Sequence, residues 1–411
     1  MPSARIPSTA KDAKLLVLLC LAETLSMAGF AAWPALLPQL QEAWRLSGTA
    51  AGGVGGAFFA GYMLAVPFLS GLTDKIDARR VYVFACVLAA ISCLGFALFA
   101  DGALSASLCQ MGTGAGLAGT YMPGLKALND RLAAKAKSRY IAFYTSTFGV
   151  GASLSYVLAG WAGAHLGWQA SFALAALGPL LAAVLVAAGL APVPPRAAGQ
   201  GTGLSGMFLA LTDRATRGYV AGYAVHCWEL FGLRSWIVAL LAFSTAVSAT
   251  ALPLAAASVA AAINLVGIPA SIFGNELAGR FGRRRFILFC MAASGLLAWL
   301  TGALAASPWL LLGALLLYNV AIMADSAALT AGLMASAEPA RLGAALAVYS
   351  FMGFAAGVLG PLVFGAVLDL AGGRNLPLAW LFACGSLGLG CLLAALGSGR
   401  LATKRDSDRP G

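Results

Sequence analysis

The sequence has few charged residues for its length. Asp, Glu, Lys and Arg make up 10% of its 411 residues, hydrophobic residues make up 60%, and the mean hydropathy is +0.86. A typical soluble domain carries about 25% charged residues, so this chain lacks the polar side chains that would cover a water-facing surface. The composition therefore excludes an ordinary soluble globular enzyme and indicates an integral membrane protein.

The sequence also lacks the usual signatures of metal, cofactor and catalytic sites. Its eight cysteines all lie inside apolar runs, with no Cys-x-x-Cys pair and no His/Cys spacing suited to zinc. Glycine is abundant, with 50 residues, but no Gly-Lys-Ser/Thr sequence of a phosphate-binding loop is present. We therefore expect free thiols, no metal, no cofactor and no enzymatic activity.

Apolar runs of spanning length predict an all-α fold. A window of about 20 residues predicts twelve transmembrane helices, at 15–40, 50–70, 80–100, 104–125, 140–162, 168–190, 219–243, 253–273, 286–306, 309–334, 343–368 and 376–397. The first run is long and no small-residue cleavage site follows it. We therefore expect this run to be retained as a helix and not removed as a signal peptide.

A segment rich in proline and glycine divides these helices into two groups of six. The predicted organisation is a cytoplasmic N-terminus (1–14), an N-terminal half (15–190), a linker (191–218), a C-terminal half (219–397) and a tail (398–411). The two halves align at a spacing of 203 or 204 residues. Identical residues meet at Gly29 and Gly232, Trp33 and Trp236, and Leu125 and Leu329, and Glu23 stands opposite His226 and Tyr121 opposite Asp325. This repeat predicts two pseudo-symmetric six-helix bundles, an organisation typical of secondary transporters.

The excess of positive charge has a membrane explanation. The chain has 26 Lys and Arg against 15 Asp and Glu, a formal net charge of +11. The basic residues fall in alternate loops, as orientation by cytoplasmic positive charge requires. We therefore expect a monomeric, multi-pass protein of the cytoplasmic (inner) membrane with both termini in the cytoplasm, and no nucleic-acid partner.

Two loops resemble a known family motif. Residues 275–284 read NELAGRFGRR, which looks like the G-x-L-A-D-R-x-G-R-R loop of the major facilitator superfamily. Residues 70–79 look like a degraded copy, with Ser70 and Asp77 where the family usually has glycine, and residues 337–343 and 357–365 fit the same family. The sequence is therefore identified as a member of that superfamily.

The resemblance implies a mechanism as well as a fold. It implies transport by rocking of two halves about a central cavity that the first, fourth, seventh and tenth helices line. It also implies that charged residues of the inner loops act in gating: Asp74, Arg79, Arg280, Arg283 and Arg341. The sequence departs from drug–proton antiporters, because Gln110 stands where they commonly have arginine and no proline follows Gly149 in the fifth helix.

Inserting a charged side chain into a spanning helix costs about 2.5 to 3.5 kcal/mol on insertion scales, so each such residue requires a structural or functional explanation. We single out six acidic or basic residues in the predicted spans, and all of them lie on the helices that line the cavity in the superfamily. The helical rise places four of them within roughly 5 Å of one another along the membrane normal: Glu23, His226, Glu229 and Asp325. Arg234 and Gln110 lie about 8 Å further out, and Lys126 lies at the inner end of the fourth helix.

These positions predict two kinds of site. A layer of carboxylates beside a histidine can load and release protons, so we expect Glu23, Glu229, Asp325 and His226 to couple transport to protons. Arg234 offers a planar fork suited to a substrate carboxylate. We therefore expect a small carboxylate-bearing or zwitterionic substrate, bound by Arg234 together with the polar and aromatic residues Gln110, Tyr121, Trp33 and Trp236.

Other interpretations of the same residues remain. Glu229 and Arg234 also suit a structural ion pair, the tryptophans suit packing, and Lys126 suits a charge that orients the protein at the inner surface. The predicted spans contain three acidic residues but only one arginine well inside the membrane. This excess of acidic residues also fits a proton-antiport efflux pump for cationic or lipophilic drugs. A membrane scaffold without transport activity is a third hypothesis.

Overall fold

The structure is a computed structural model that describes residues 10–132, 137–194, 212, 214–338 and 341–402. Within these ranges nearly all residues are helical. The helices are α1 (Ala10–Ser26), a 3-10 turn (Met27–Gly29), α2 (Ala32–Ala43), α3 (Gly48–Leu72), α4 (Ala78–Phe99), α5 (Ala103–Arg131), α6 (Lys137–Leu166), α7 (Trp168–Gly189), α8 (Arg214–Ser248), α9 (Ala256–Phe281), α10 (Arg283–Ala303), α11 (Pro308–Ser336), α12 (Leu342–Leu370) and α13 (Pro377–Ala402).

The helices confirm the predicted membrane architecture. Ten spans in the described part of the chain, with α1 and α2 counted as one, are long and apolar enough to cross a bilayer. The remaining two, α5 and α6, contain 29 and 30 residues and pack within the same bundle. Most helices extend several residues beyond the predicted segments, because hydropathy detects the apolar core of a span and not its polar ends.

The first predicted helix is interrupted, which the hydropathy pattern did not indicate. Its two parts, α1 and α2, meet at the 3-10 turn, and Pro34 has no N–H to donate to the carbonyl of Phe30. The buried hydroxyl of Ser155 on α6 donates to the carbonyl of Ala28 (2.7 Å) and accepts from the N–H of Ala31 (2.9 Å). A single side chain therefore supplies the hydrogen bonds that the broken helix cannot make.

The helices form two bundles, α1–α7 and α8–α13, referred to below as the N-terminal and C-terminal halves. In the N-terminal half, α4 and α5 pack together, α3 packs against α5, and α7 packs against α4. In the C-terminal half, α10 packs against α13, α9 against α11, and α8 against α12. The halves meet along three pairs of helices: α3 with α12, α6 with α9, and α2 with α8.

The two halves approach most closely at one end of the molecule. We call this the distal end; it carries the α2–α3 and α12–α13 connections, and the opposite, basic end carries the α3–α4 and α9–α10 connections. A Cβ atom on Gly52 of α3 would overlap the backbone carbonyl of Pro361 on α12, so only glycine allows this contact. Asn264 on α9 donates to the carbonyl of Gly149 (3.1 Å) and to the hydroxyl of Ser153 (2.8 Å) on α6. The structure therefore records a conformation closed at the distal end.

Candidate functional site

His226 on α8 and Asp325 on α11 form a buried pair between two helices of the C-terminal half. The Nδ1 atom of His226 lies 2.8 Å from Oδ1 of Asp325, and the two residues are 2% and 3% exposed. The ring of Tyr223 stacks near the imidazole, with centroids 5.8 Å apart. Each partner satisfies a polar group that would be costly to bury alone, and the pair offers two atoms that can exchange a proton.

Glu229 lies only three residues from His226 but points elsewhere. Its Oε2 atom accepts hydrogen bonds from the Ser294 hydroxyl on α10 (2.7 Å) and the Cys391 thiol on α13 (3.0 Å). Its Oε1 atom has no partner among the described residues, although the side chain is buried. Glu229 therefore faces the interior of the C-terminal half, whereas His226 faces α11.

Glu23 occupies a corresponding pocket inside the N-terminal half. Its Oε2 atom accepts hydrogen bonds from the hydroxyls of Tyr82 on α4 (3.3 Å) and Tyr144 on α6 (3.1 Å), and a weak one from Ser26 (3.5 Å). The residue is 0% exposed, and Oε1 has no partner within the described ranges.

We expected the four titratable groups in a single layer, but in the structure they form three separate clusters. Only His226 and Asp325 contact each other, because depth along a helix does not fix the direction in which a side chain points. No group of three or more His, Cys, Asp and Glu side chains among the described residues is arranged to hold a metal ion.

Arg234 on α8 is a buried cation. It is 9% exposed, its Nη2 atom lies 4.0 Å from the sulfur of Met323 on α11, and its Nε has no partner in the described part of the chain. None of the ion pairs found among the described residues includes it, so the expected alternative of a Glu229–Arg234 pair is not formed. Its own backbone carbonyl accepts a hydrogen bond from the Tyr156 hydroxyl on α6, in the other half. The guanidinium therefore has no acidic partner among the described residues.

The other expected substrate-binding residues fall into two groups. Gln110 is 2% exposed and its Oε1 atom has no partner among the described residues, and Tyr121 is half-buried against Tyr144 and Phe148. The two tryptophans are 1% exposed. Their rings pack in the core, Trp33 against Phe96 and Trp44, and Trp236 against Phe364 and Trp380. Neither indole has a face open to a ligand in this conformation.

The expected gating residues all lie at the basic end. Asp74 pairs with Lys126 at 3.6 Å, and Lys126 also pairs with Asp130 at the same distance. Arg79 donates to the carbonyl of Ala187 at the end of α7. Arg341 pairs with the exposed Glu338 at 3.3 Å. Arg280 and Arg283 flank Gly282 at the α9–α10 connection.

Sequence reasoning missed a cluster at the basic end that includes Asp77. The carboxylate of Asp77 accepts from the N–H groups of Arg79 (3.0 Å) and Val193 (3.0 Å) and lies 3.4 Å from the Arg131 guanidinium. Partial burial raises the pKa of Asp77, but the two N–H donors and Arg131 outweigh it and hold the pKa below its usual range. An aspartate directly before a helix is an N-cap signal, so Asp77 was open to prediction from sequence.

Sequence reasoning also missed Asp369. This residue lies at the end of α12, and its carboxylate accepts hydrogen bonds from the backbone N–H groups of Gly48 (2.7 Å) and Thr49 (2.8 Å) at the start of α3. The Thr49 hydroxyl donates to the same carboxylate (2.8 Å). The only sequence signal was an acidic residue at the end of an apolar run.

A profile of the Major Facilitator Superfamily matches residues 19–258, more than half of the chain. No curated protein matches the sequence. Solved structures do match. The fold is similar to that of a bacterial homologue of the human lysosomal transporter Spinster in an inward-facing, unoccupied conformation, with a TM-score of 0.74 and 17% identity over 97% of this chain and 96% of that chain.

Two further solved structures have the same fold. The nucleoside transporter NupG superposes with a TM-score of 0.74 and 14% identity, covering 94% of this chain and 99% of that chain. The POT family transporter PepTSo superposes with a TM-score of 0.76 and 14% identity, covering 98% of this chain and 100% of that chain. At such low identity, these likenesses describe the fold and not the substrate.

Proposed function

The chain belongs to the Major Facilitator Superfamily and has the fold of its transporters, and from this premise we propose that it is a proton-coupled secondary transporter of a small carboxylate-bearing substrate. The observation that carries the proposal is Arg234, a buried guanidinium with no acidic partner among the described residues. It lies on the same helix as His226, which pairs with Asp325. One helix thus carries both an anion-binding group and a proton-binding group.

An unpaired buried cation is costly, and this cost supports a ligand-binding role. The effective penalty for burying an ion is several kcal/mol unless a partner compensates for it. The side-chain hydrogen-bond partner that the structure shows for Arg234 is the sulfur of Met323, which is a weak acceptor. A substrate carboxylate would supply two acceptor oxygens in the geometry that a guanidinium matches best.

The His226–Asp325 pair supports the proton-coupling part of the proposal. Protonation of either partner changes the charge of the pair and the strength of the hydrogen bond between α8 and α11. A proton bound there can therefore alter how these two helices pack. Glu23 and Glu229 remain proposed secondary proton sites, each closed within its own half by hydroxyl or thiol donors.

The orientation follows from charge placement. We infer that the basic end faces the cytoplasm in the inner membrane, with both termini on that side, because cytoplasmic loops carry the excess of Lys and Arg. A molecule closed at its distal end is then inward-facing, as is the similar Spinster homologue structure. Rocking of the halves about the Arg234 region would open the distal end in turn.

A second candidate function has its own supporting observation. Glu23 and Glu229 each keep one carboxylate oxygen without a partner among the described residues, and such oxygens suit a cationic substrate. The alternative is therefore a proton-antiport efflux pump for cationic or lipophilic compounds.

Charge-changing variants separate the two functions. In proteoliposomes, Arg234→Gln is expected to abolish uptake of a radiolabelled carboxylate and to leave export of a lipophilic cation unchanged. The matched control is Arg217→Gln, because Arg217 is exposed on the same helix. Carboxylate uptake that survives Arg234→Gln would contradict the proposal, and cation export that depends on Glu23 or Glu229 would favour the alternative.

A further inference from the structure

A connected series of aromatic rings crosses the interface between the halves. It runs Tyr121, Phe148, Phe30, Phe58, Phe59 and Phe231, with successive centroids 5.5, 5.3, 5.4, 5.3 and 4.2 Å apart. We call this series the aromatic bridge. The Phe59–Phe231 contact joins α3 of the N-terminal half to α8 of the C-terminal half.

The aromatic bridge ends at Phe231, three residues before Arg234 on α8. Trp228, Phe231 and Arg234 follow each other at intervals of three residues on α8, so each lies about one helical turn from the next. The indole N–H of Trp228 is buried and has no partner among the described residues. An aromatic ring, an N–H donor without a partner among the described residues and a guanidinium without an acidic partner there thus form one row along α8.

Several rings of the aromatic bridge and of this row are not fully covered. Phe30, Phe148 and Trp228 are partly exposed, as is Phe354, which stacks on Phe231 with centroids 5.8 Å apart. Phe30 lies between α3 and α6, two of the helices by which the N-terminal half contacts the C-terminal half. By contrast, Trp33 and Trp236, further towards the distal end, are completely covered. Ring surface therefore remains available near the middle of the interface.

The polar groups near Arg234 limit which carboxylates fit. An amino acid or other zwitterion would need an acidic group for its ammonium close to Arg234. Asp325 is engaged by His226, and Glu229 points into the interior of the C-terminal half, towards Ser294 and Cys391. A polyhydroxylated acid would need many hydrogen-bond partners, but the residues that precede Arg234 in the row on α8 are aromatic. The surroundings instead match a substrate with one negative charge and a flat apolar body.

We propose that the substrate is an aromatic carboxylate whose carboxylate binds the Arg234 guanidinium and whose ring packs on the aromatic bridge between the halves. This inference rests on the proposed function, because it names the chemical class of the acid that Arg234 binds. A ring that contacts both Phe30 and Phe354 touches the two halves at once, so its binding is coupled to their relative position.

The test compares three probes on the purified full-length protein by isothermal titration calorimetry: phenylacetate, propionate and phenethylamine. Phenylacetate and propionate share the carboxylate and differ by the ring, while phenethylamine keeps the ring and reverses the charge. We expect phenylacetate to bind at least about tenfold more tightly than propionate, and phenethylamine not to bind.

Two variants locate the ring. Phe30→Leu and Phe354→Leu keep an apolar side chain, and each is expected to reduce the preference for phenylacetate over propionate by about threefold or more. The matched control, Phe289→Leu, alters a ring that is 68% exposed on α10 and should leave the preference unchanged. Thermal unfolding of each variant confirms that it is folded before its affinities are compared.

The outcomes separate this inference from the proposed function. Equal affinity for phenylacetate and propionate, with both lost in Arg234→Gln, would overturn the aromatic preference and leave carboxylate transport intact. A preference for phenylacetate that persists in a Phe30→Leu/Phe354→Leu double variant would also overturn the proposed ring site. Failure of both acids to bind would overturn the inference together with the carboxylate function, and tight binding of phenethylamine would do the same in favour of the cation alternative.

Discussion

The carboxylate of Asp369 caps the first turn of α3 across the interface between the halves, 2.7 Å from the backbone nitrogen of Gly48. A helix N-terminus favours an anion, whereas the C-terminal end of α12, where Asp369 lies, disfavours one. The contact therefore relieves an unfavourable charge in one half by satisfying unpaired N–H groups of the other. It can exist only while the distal end is closed.

Removing this cap should loosen the distal end. Loss of a helix cap costs about 1 kcal/mol, so in Asp369→Ala we expect the amides of the first turn of α3 to exchange with deuterium roughly fivefold faster. Hydrogen–deuterium exchange with mass spectrometry measures this directly. Glu338→Gln removes an exposed acid at the basic end and serves as the control. Unchanged exchange in Asp369→Ala would show that the contact does not hold the distal end closed.

The lowered pKa of Asp77 predicts that this residue contributes to stability in a pH-dependent way. Its pKa is lowered in the folded protein, so the ionised carboxylate stabilises the fold at neutral pH and that stability is lost as pH falls through the folded-state pKa. We expect Asp77→Ala to lower the free energy of unfolding by about 1 to 2 kcal/mol at pH 7. Thermal unfolding in detergent should show the difference narrowing below the usual aspartate pKa of 3.8. A difference that is constant from pH 7 to pH 3 would contradict this role of the charge.

Ser155 should stabilise the break in the first span. Its hydroxyl serves both the carbonyl of Ala28 and the N–H of Ala31, and an unsatisfied buried backbone group costs about 1 to 3 kcal/mol. Ser155→Ala is therefore expected to lower the unfolding temperature, whereas Ser386→Ala, which removes only a bond to a carbonyl of its own helix, should have a smaller effect. Equal effects of the two substitutions would show that the break is stable without Ser155.

A substitution in the Asp325–His226 pair should impair proton coupling and leave substrate binding nearly unchanged. Asp325→Asn keeps a side chain of the same size but removes the charged partner of His226. We expect calorimetric binding of the substrate to persist within about threefold, because Asp325 does not contact Arg234, while substrate-driven proton movement falls at least about tenfold. Asp130→Asn, a half-buried acid at the basic end, is the control. Proton movement that is unchanged in Asp325→Asn would exclude the pair from coupling.

The helix count was predictable because burial in a bilayer demands long apolar runs, and these runs are visible in composition alone. The break at Met27–Gly29 was not, because it depends on a hydroxyl of α6, which is distant in sequence. Part of the candidate site follows from the same runs. Hydropathy placed Arg234, His226 and Asp325 within predicted spans, and all three side chains are buried in the structure. Their common depth in the membrane stays a prediction from the helical rise.

The direction in which each side chain points could not be predicted from the sequence pattern. Glu229 and His226 share a predicted face, yet the packing of α10 and α13 around Glu229 gives it Ser294 and Cys391 as partners. Trp33 and Trp236 were expected at the ligand, but the aromatic core of the distal end encloses both rings. The aromatic bridge joins residues from four helices and from the break in the first span, and no local spacing indicates that α3 and α8 bring Phe59 and Phe231 together.

The central claim is that Arg234 binds a carboxylate whose movement is coupled to protons through Asp325 and His226. The most direct test is the internal pH of proteoliposomes that contain the purified protein, recorded while carboxylates, amino acids and lipophilic cations are added in turn. We expect a pH change on addition of a carboxylate, absent in both Arg234→Gln and Asp325→Asn and present in Arg217→Gln. A pH change driven only by lipophilic cations, or one driven by carboxylates that survives in Arg234→Gln, would contradict the claim.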